Sequence, residues 1–282
     1  MLHEPLKPML LYSSPTVPAG QYMYQLKFDG HRTLLHKEGE NISMFTRQGT
    51  HCTAQYPEVA AGAAIGADNV ILDGEMIVMG ADGKPCFDSL MERFSAKKSI
   101  NRLANKMPAH FVAFDILYLN GKDVTKLPIE KRLSLLQDVA ASSEAMSVCR
   151  SSDDGESLFE AVKTMGLEGI VSKKKHSVYQ MDTRSAAWVK TKNYLYETVQ
   201  IAGIRKGGKF GWLLQLDGRY LGVMELTPLA ARHAFAAIAP KIKTSEDKHF
   251  VFVKPLIRCR VKFQCYTKKG LLRSPSFMKF VS

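Results

Sequence analysis

The chain has 282 residues and a net charge of +12, with 45% hydrophobic and 23% charged residues. That composition excludes a chain-wide disordered or fibrous protein, and no apolar run approaches the roughly 18 residues of a membrane span. The charge is unevenly spread: residues 196–282 hold 16 Lys or Arg against 5 Asp or Glu, a net of +11, while residues 1–195 hold 23 against 22. The asymmetry points to a polyanion-binding module attached to a near-neutral body. An anionic membrane is the rival partner, but no long amphipathic basic helix supports it. The N-terminal stretch lacks a basic segment followed by an apolar core, so secretion is not expected. Five cysteines form no CxxC and no Cys/His cluster, which reads as free thiols in a cytoplasmic protein.

Residues 22–28 read as a strand, Asp29-Gly30 as a turn, and 31–39 and 41–49 as two further strands. The Ala-rich stretch 56–67 is a short helix weakened by Gly62 and Gly66. Residues 69–79 form an apolar run broken by Asp73-Gly74, the pattern of a buried strand pair or a bulged strand. Residues 87–104 are expected to contain a helix, with Phe87, Leu90, Met91 and Phe94 at helical spacing. Residues 110–121 make an apolar strand ending in an Asn-Gly turn, and 128–140 a helix opened by Pro128. Residues 157–174 read as helix, glycine stop and strand. A boundary falls near 193–197, giving domains 1–195 and 196–282. Beyond it, five short strands and one helix (229–240) fit a small β-barrel of the oligonucleotide-binding (OB-fold) type.

Several charged residues sit where chemistry is expected. Lys27 ends an apolar strand, with Asp29 on the same side and Gly30 opening a turn. By itself the tetrapeptide reads as an edge lysine before a turn. As a nucleophile, Lys27 needs a neutral amine, which nearby cations favour. Asp29 then orients the amine or helps to hold a metal. Glu75 and Glu168 interrupt apolar strands, where a carboxylate is costly unless paired or metal-bound; each is otherwise a turn residue. Phe114 either packs in the core or stacks on a base. Lys190 and Lys192, two apart, share one strand face and suit a phosphate between them, or else a solvated edge. No P-loop, dinucleotide fingerprint, HExxH or GxSxG is present.

The order and spacing of these motifs resemble the covalent nucleotidyltransferases, and within them the ATP-dependent DNA ligases, especially minimal bacterial or prophage ligases and the ligase domains of end-joining proteins. Lys27-Phe28-Asp29-Gly30-His31-Arg32 matches KxDGxR, and Thr46-Arg47-Gln48-Gly49 matches S/T-R-x-G. Asp73-Gly74-Glu75 matches DGE, Phe114-Asp115 the aromatic-Asp segment, Glu168-Gly169-Ile170-Val171 EGxV, and Trp188-Val189-Lys190-Thr191-Lys192 WxKxK. The segment 271–277, which holds Arg273, is similar to a late barrel strand of the same ligases.

The resemblance implies an α+β nucleotidyltransferase domain, ATP-grasp-like with antiparallel sheets flanked by helices, followed by the OB-fold barrel. It implies that Lys27 attacks the α-phosphorus of ATP to give lysyl-AMP. The adenylate then passes to a 5′-phosphate at a nick, and the 3′-hydroxyl displaces AMP. Lys190 and Lys192 are expected on the α-phosphate, and Arg32 on the nucleotide and later the nick phosphate. Glu75 is expected on ribose or metal, Glu168 on Mg²⁺ (or Mn²⁺), Phe114 on adenine, and Arg47 and Arg273 on DNA. Nicked duplex DNA is the implied partner of a monomer, with a DNA-end-binding or clamp protein as a further one and no membrane. The family's final RxDK motif does not follow residue 277, so self-adenylation is expected to be slow or to use a substitute cation such as Lys279, unless the sequence is cut short at its end. No separate DNA-binding domain precedes Lys27, so duplex encirclement is expected to be incomplete or to use a partner. RNA ligase chemistry and a weakly active DNA-binding relative are the alternatives.

Overall fold

The computed structural model describes residues 2–281. The chain divides into two compact units, Met1–Asn193 and Tyr194–Ser282. The first unit begins with β1 (Leu10–Ser13), β2 (Tyr22–Lys27), β3 (His31–Glu38), β4 (Asn41–Thr46), α1 (Pro57–Gly62), β5 (Asn69–Val78), α2 (Phe87–Ser95) and α3 (Ile100–Lys106). It continues with β6 (Ala109–Leu119), β7 (Lys122–Asp123), α4 (Ile129–Val139), β8 (Met146–Val148), β9 (Ser151–Ser152), α5 (Gly155–Met165), β10 (Gly169–Lys174) and β11 (Arg184–Lys192).

These strands form two sheets, β1-β11-β10-β2-β9 and β4-β3-β5-β6-β7, with β8 added to β6. Both are mixed rather than antiparallel, because β1 runs parallel to β11 and β8 parallel to β6. The run 69–79 is one central strand, and its Val70, Ile71, Leu72 and Met76 are fully buried, as a strand covered on both faces requires. Helix α4 buries Ile129, Leu133 and Leu136 and brings Arg132 to Asp115 through bonds of 2.7 and 2.9 Å, with both side chains fully buried. The helix expected within 87–104 is α2, which holds Phe87, Leu90, Met91 and Phe94 and ends at Ser95; a second helix, α3, starts at Ile100. Between them Ser99 takes a left-handed backbone, φ 57°, which a helix cannot contain.

The second unit comprises β12 (Leu195–Arg205), β13 (Trp212–Leu216), β14 (Arg219–Met224), α6 (Leu229–Ile238), β15 (Lys243–Glu246), β16 (Phe250–Val253), β17 (Arg258–Phe263) and β18 (Ser276–Val281). Its core gathers Val199, Ile201, Trp212, Leu214, Phe235, Val261 and Phe263. The expected OB-fold barrel is not what forms. The sheet runs β14-β13-β12-β16-β15, with β17 branching from β12 and carrying β18. The long β12 is shared along its length, Leu195–Gln200 pairing with β17 and Gly203–Arg205 with β16. Strand β15 pairs only with β16, and β18 meets the β14 side through a single bridge, Leu226–Ser276. No closed barrel results among the described residues. A count of short strands does not specify whether the outermost ones pair, and here they do not. No helix among the described residues is long and apolar enough to cross a membrane.

Candidate active site

Three neighbouring strands build the site. The register places Lys27 of β2 beside Gly169 of β10, and Gly169 beside Lys192 of β11. Gly169 has φ 152°, and a Cβ there would lie 2.3 Å from the Thr191 carbonyl oxygen, so only glycine lets the strands meet. Glu168 precedes it. Helix α5 delivers this residue: Asp154 caps its start by accepting from Ser157 N at 2.9 Å, and Gly166 ends it at φ 64°. Asn193 then pins the connection, its backbone N donating to Glu168 O at 2.9 Å and its Nδ2 to Leu167 O at 3.2 Å.

The Glu168 carboxylate bridges two lysines, with Lys27 Nζ at 2.8 Å and Lys192 Nζ at 3.0 Å. The side chains are 10% exposed for Glu168, 19% for Lys27 and 15% for Lys192, so these charges meet largely out of water. Burial pushes the Lys27 ammonium down, but Glu168, Glu75 and Asp29 together outweigh it and hold its pKa above the ordinary lysine value. The sequence suggested cations activating the amine; here carboxylates dominate, and Lys27 rests protonated. Lys190 shares the β11 face with Lys192 and stays half-buried, its pKa lowered by burial and by Lys192 and Lys27.

A pocket opens beside Lys27, lined by Leu11, Gln25, Leu26, Lys27, Phe28, Arg32, Glu75, Phe114, Val171, Lys173 and Trp188. Gly30 lets β3 turn in tightly, since a Cβ there would lie 2.1 Å from the Met76 carbonyl oxygen. In the β5–β6 register Asp73 faces Asp115 and Gly74 faces Ala113, leaving Phe114 unmatched. This bulge turns the Phe114 ring into the pocket. Burial pushes the Glu75 carboxyl up to about 8, Glu168 adds to the shift, and Lys27 opposes it.

Arg32 lines the pocket but is already committed. Nε and Nη2 bond to Asp73, with Nε to Oδ1 at 2.8 Å. Nη1 donates to Met9 O at 2.6 Å and Nη2 to Tyr179 OH at 3.2 Å. The guanidinium also lies 5.3 Å from the Phe114 ring centroid and 5.5 Å from that of Trp188. Arg47 is exposed on the turn after β4 and does not line the pocket. Arg273 belongs to the second unit, between β17 and β18, where its backbone N donates to Cys265 O at 2.9 Å.

Residues 8–192 match the family model described as an ATP dependent DNA ligase domain. The chain is 35% identical over 274 residues to the SPbeta prophage-derived DNA ligase-like protein LigB of Bacillus subtilis, covering 96% of this chain and 97% of that protein. The chain belongs to the ATP-dependent DNA ligase family. It is therefore an enzyme that seals DNA by nucleotidyl transfer and forms phosphodiester bonds. The multifunctional non-homologous end joining DNA repair protein LigD of Mycobacterium tuberculosis is 28% identical over 282 residues, covering 92% of this chain but 36% of LigD. The crystal structure of that protein's ligase domain shares the fold, with a TM-score of 0.58 at 24% identity, covering 98% of this chain and 95% of that one.

For a divalent cation the ligase offers a small donor set. Among the described residues no three His, Cys, Asp or Glu side chains cluster. Two carboxylates coupled to Lys27, Glu75 and Glu168, nonetheless suit Mg²⁺, which takes one or two carboxylates and completes its shell with phosphate oxygens and water. The sequence places Lys173 only within the strand that ends at 174 and gives it no role. Lys173 is 1% exposed, donates to Phe114 O at 2.7 Å, and lies 4.0 Å from the Trp188 ring centroid and 4.7 Å from that of Phe114. Burial holds its ammonium down to about 8. Asp73 and Tyr179, which hold Arg32, are missed too. The one available signal is Asp73's place inside an apolar strand, where a carboxylate needs a partner.

Proposed function

We propose that this ligase seals 5′-phosphate/3′-hydroxyl nicks in duplex DNA through lysyl-AMP on Lys27, using ATP and Mg²⁺. The observation that carries the assignment is the Lys27–Glu168–Lys192 bridge beside the pocket that holds Glu75 and Phe114. Lys27 must release a proton to solvent before it attacks, and Glu168, its acceptor at 2.8 Å, orients the amine. The new P–N bond forms as the bond from the α-phosphorus to pyrophosphate breaks. Lys192 and Lys190 then face the negative charge that spreads over the α-phosphate. In the second step a 5′-phosphate oxygen replaces Lys27 on that phosphorus and the amine recovers a proton. In the third the 3′-hydroxyl attacks the nick phosphate, loses its proton, and AMP departs. Glu75 and Glu168 would hold the Mg²⁺, which supplies charge neutralisation when bound. Phe114 offers a stacking face to adenine, and Lys173 Nζ lies over that ring, 4.7 Å from its centroid. Asp29 acts by adding charge that keeps Lys27 protonated at rest.

The second unit is proposed to hold duplex DNA, and the enzyme to act as a monomer in the cytoplasm, a compartment that suits its five free thiols. On β17, Arg258, Arg260 and Lys262 alternate with the buried Cys259, Val261 and Phe263. Lys279 of β18 stands opposite Arg260. Among the described residues no ion pair joins these four cations to a carboxylate. Like charges so arranged favour a polyanion across the face. Single-turnover reactions with a labelled nicked duplex test the whole reading. ATP should give DNA-adenylate and then sealed product, and Lys27→Ala should seal only a nick that is already adenylated. Sealing from ATP at the parent rate by Lys27→Ala would refute it.

A further inference from the structure

We infer that Tyr179 is a positioning residue for adenylyl transfer: its hydroxyl fixes the Arg32 guanidinium so that a single N–H is left to meet the nucleotide. The inference rests on the ligase reading, which puts ATP in the pocket that Arg32 lines. Tyr179 does not line that pocket and is 1% exposed. It sits in the connection 175–183 between β10 and β11, which is held from two sides. Its backbone N donates to Thr125 O at 2.8 Å. Ser177 O accepts from Ile129 N at 3.0 Å and from Arg132 Nη1 at 3.1 Å, which ties the connection to the start of α4. Asp182 N donates to Lys7 O at 2.9 Å, and Leu10 N to Thr183 O at 2.8 Å, which ties it to β1 and the segment before it.

A tyrosine hydroxyl has one proton to give and two lone pairs, and here all three are in use. Tyr179 donates to Asp73 Oδ2 at 2.7 Å and accepts from Met9 N at 3.1 Å and from Arg32 Nη2 at 3.2 Å. A guanidinium has five N–H groups in a fixed fork. Those of Arg32 go to Asp73 twice, to Met9 O and to Tyr179, so among the described residues one, on Nη1, remains for a ligand. The need for an anchor comes from the strands. The β5–β6 register sets Asp73 opposite Asp115, and both are fully buried. Two carboxylates so placed repel unless each has its own cation; Arg32 serves Asp73 and Arg132 serves Asp115. Tyr179 reaches both pairs: its hydroxyl binds Arg32, and its ring centroid lies 5.7 Å from the Arg132 guanidinium carbon. Trp188 meets that ring edge-on, with centroids 5.5 Å apart and planes at 89°, which leaves the phenol little freedom to turn. Arg32 is thus kept on Asp73, and its remaining N–H keeps one direction.

The test is Tyr179→Phe in the full chain, read by single-turnover adduct formation across ATP concentrations. The pocket lining is untouched, so the KM for ATP should stay within about twofold, while the limiting rate should fall about tenfold, the effect of one hydrogen bond on the barrier. A second arm makes the same change in the Arg32→Lys enzyme. One ammonium cannot hold both Asp73 oxygens, Met9 O and the phenol together, so the further loss there should be under about twofold. Equal losses in the two backgrounds overturn the inference, because the hydroxyl is then only a structural partner of Asp73 and Met9. A parental limiting rate overturns it too, with or without a raised KM. Urea midpoints show whether the variants are folded. Should phenylalanine prevent folding, fluorotyrosine at position 179 takes its place, since it keeps the ring and the hydroxyl and weakens the oxygen as an acceptor. A lowered limiting rate at unchanged KM is then expected, and a parental rate overturns the inference. If the parent itself forms no adduct with ATP, it is the ligase reading that fails.

Discussion

Replacing Glu168 by alanine removes one carboxylate and leaves two ammonium groups facing each other. Its bonds to Lys27 and Lys192, at 2.8 and 3.0 Å, are charge-assisted, and bonds of that kind contribute about 1.5–3 kcal/mol each. The partners keep 15–19% of their side-chain exposure, so solvent relieves part of the repulsion, and a stability loss of about 3 kcal/mol is expected. The catalytic loss is separate. Without the carboxylate that orients Lys27 and would hold the charge-neutralising Mg²⁺, adduct formation should slow at least 100-fold, or ~2.7 kcal/mol of barrier. The pH dependence should move as well. The parent holds Lys27 above its ordinary value because Glu168, Glu75 and Asp29 overcome burial. With Glu168 gone burial gains ground, the amine deprotonates at lower pH, and the rising limb of the rate profile should shift downward. Single-turnover adduct rates with labelled ATP across pH, in saturating Mg²⁺ and in Mn²⁺, read both effects. A rate within a few-fold of the parent on an unshifted profile would refute the reasoning and leave Glu168 a turn residue.

Glu75→Gln should flatten a slope that burial creates. The folded carboxyl titrates near 8 against an ordinary glutamate value of 4.5, so the parent loses stability as pH rises between them, and urea midpoints across that window should no longer fall in the variant. Lys173 works in the opposite sense: its folded pKa of about 8 lies below 10.5, so the parent gains stability as pH rises from 8 to 10.5, and Lys173→Met should lose that gain. The same variant should raise the KM for ATP about tenfold, the cost of losing the hydrogen bond to Phe114 O that fixes the stacking residue. In the second unit, alanine at Arg258, Arg260, Lys262 and Lys279 should cut the salt slope of duplex binding by about 3.6, and an unchanged slope would make that face a solvated surface.

Much of the site could be read from the chain because its residues are tied to backbone constraints that leave a mark in sequence. Gly169 stands where no Cβ fits, and Lys27, Glu168 and Lys192 converge through the strand register around it. What escaped reading depends on partners distant in sequence. Arg32 is expected on the nucleotide, yet four of its bonds go to Asp73, Met9 and Tyr179, the last 147 residues away. Lys173 reads as an ordinary residue near a strand end, since nothing local reveals that Trp188 and Phe114 enclose it. The apolar spacing of Phe87, Leu90, Met91 and Phe94 lies wholly within α2, and nothing in it marks that the helix stops before the left-handed Ser99. In the second unit the strands are legible one by one, but not the branching of β17 from β12 that leaves the sheet unclosed.

The central claim is that Lys27 is the group adenylated by ATP. Incubating the protein with labelled ATP and Mg²⁺, recovering the covalent adduct and mapping it by peptide mass tests that claim most directly. The expected result is one AMP on Lys27, and no adduct in Lys27→Ala. An adduct of parental yield in that variant, mapped to another lysine, would contradict it.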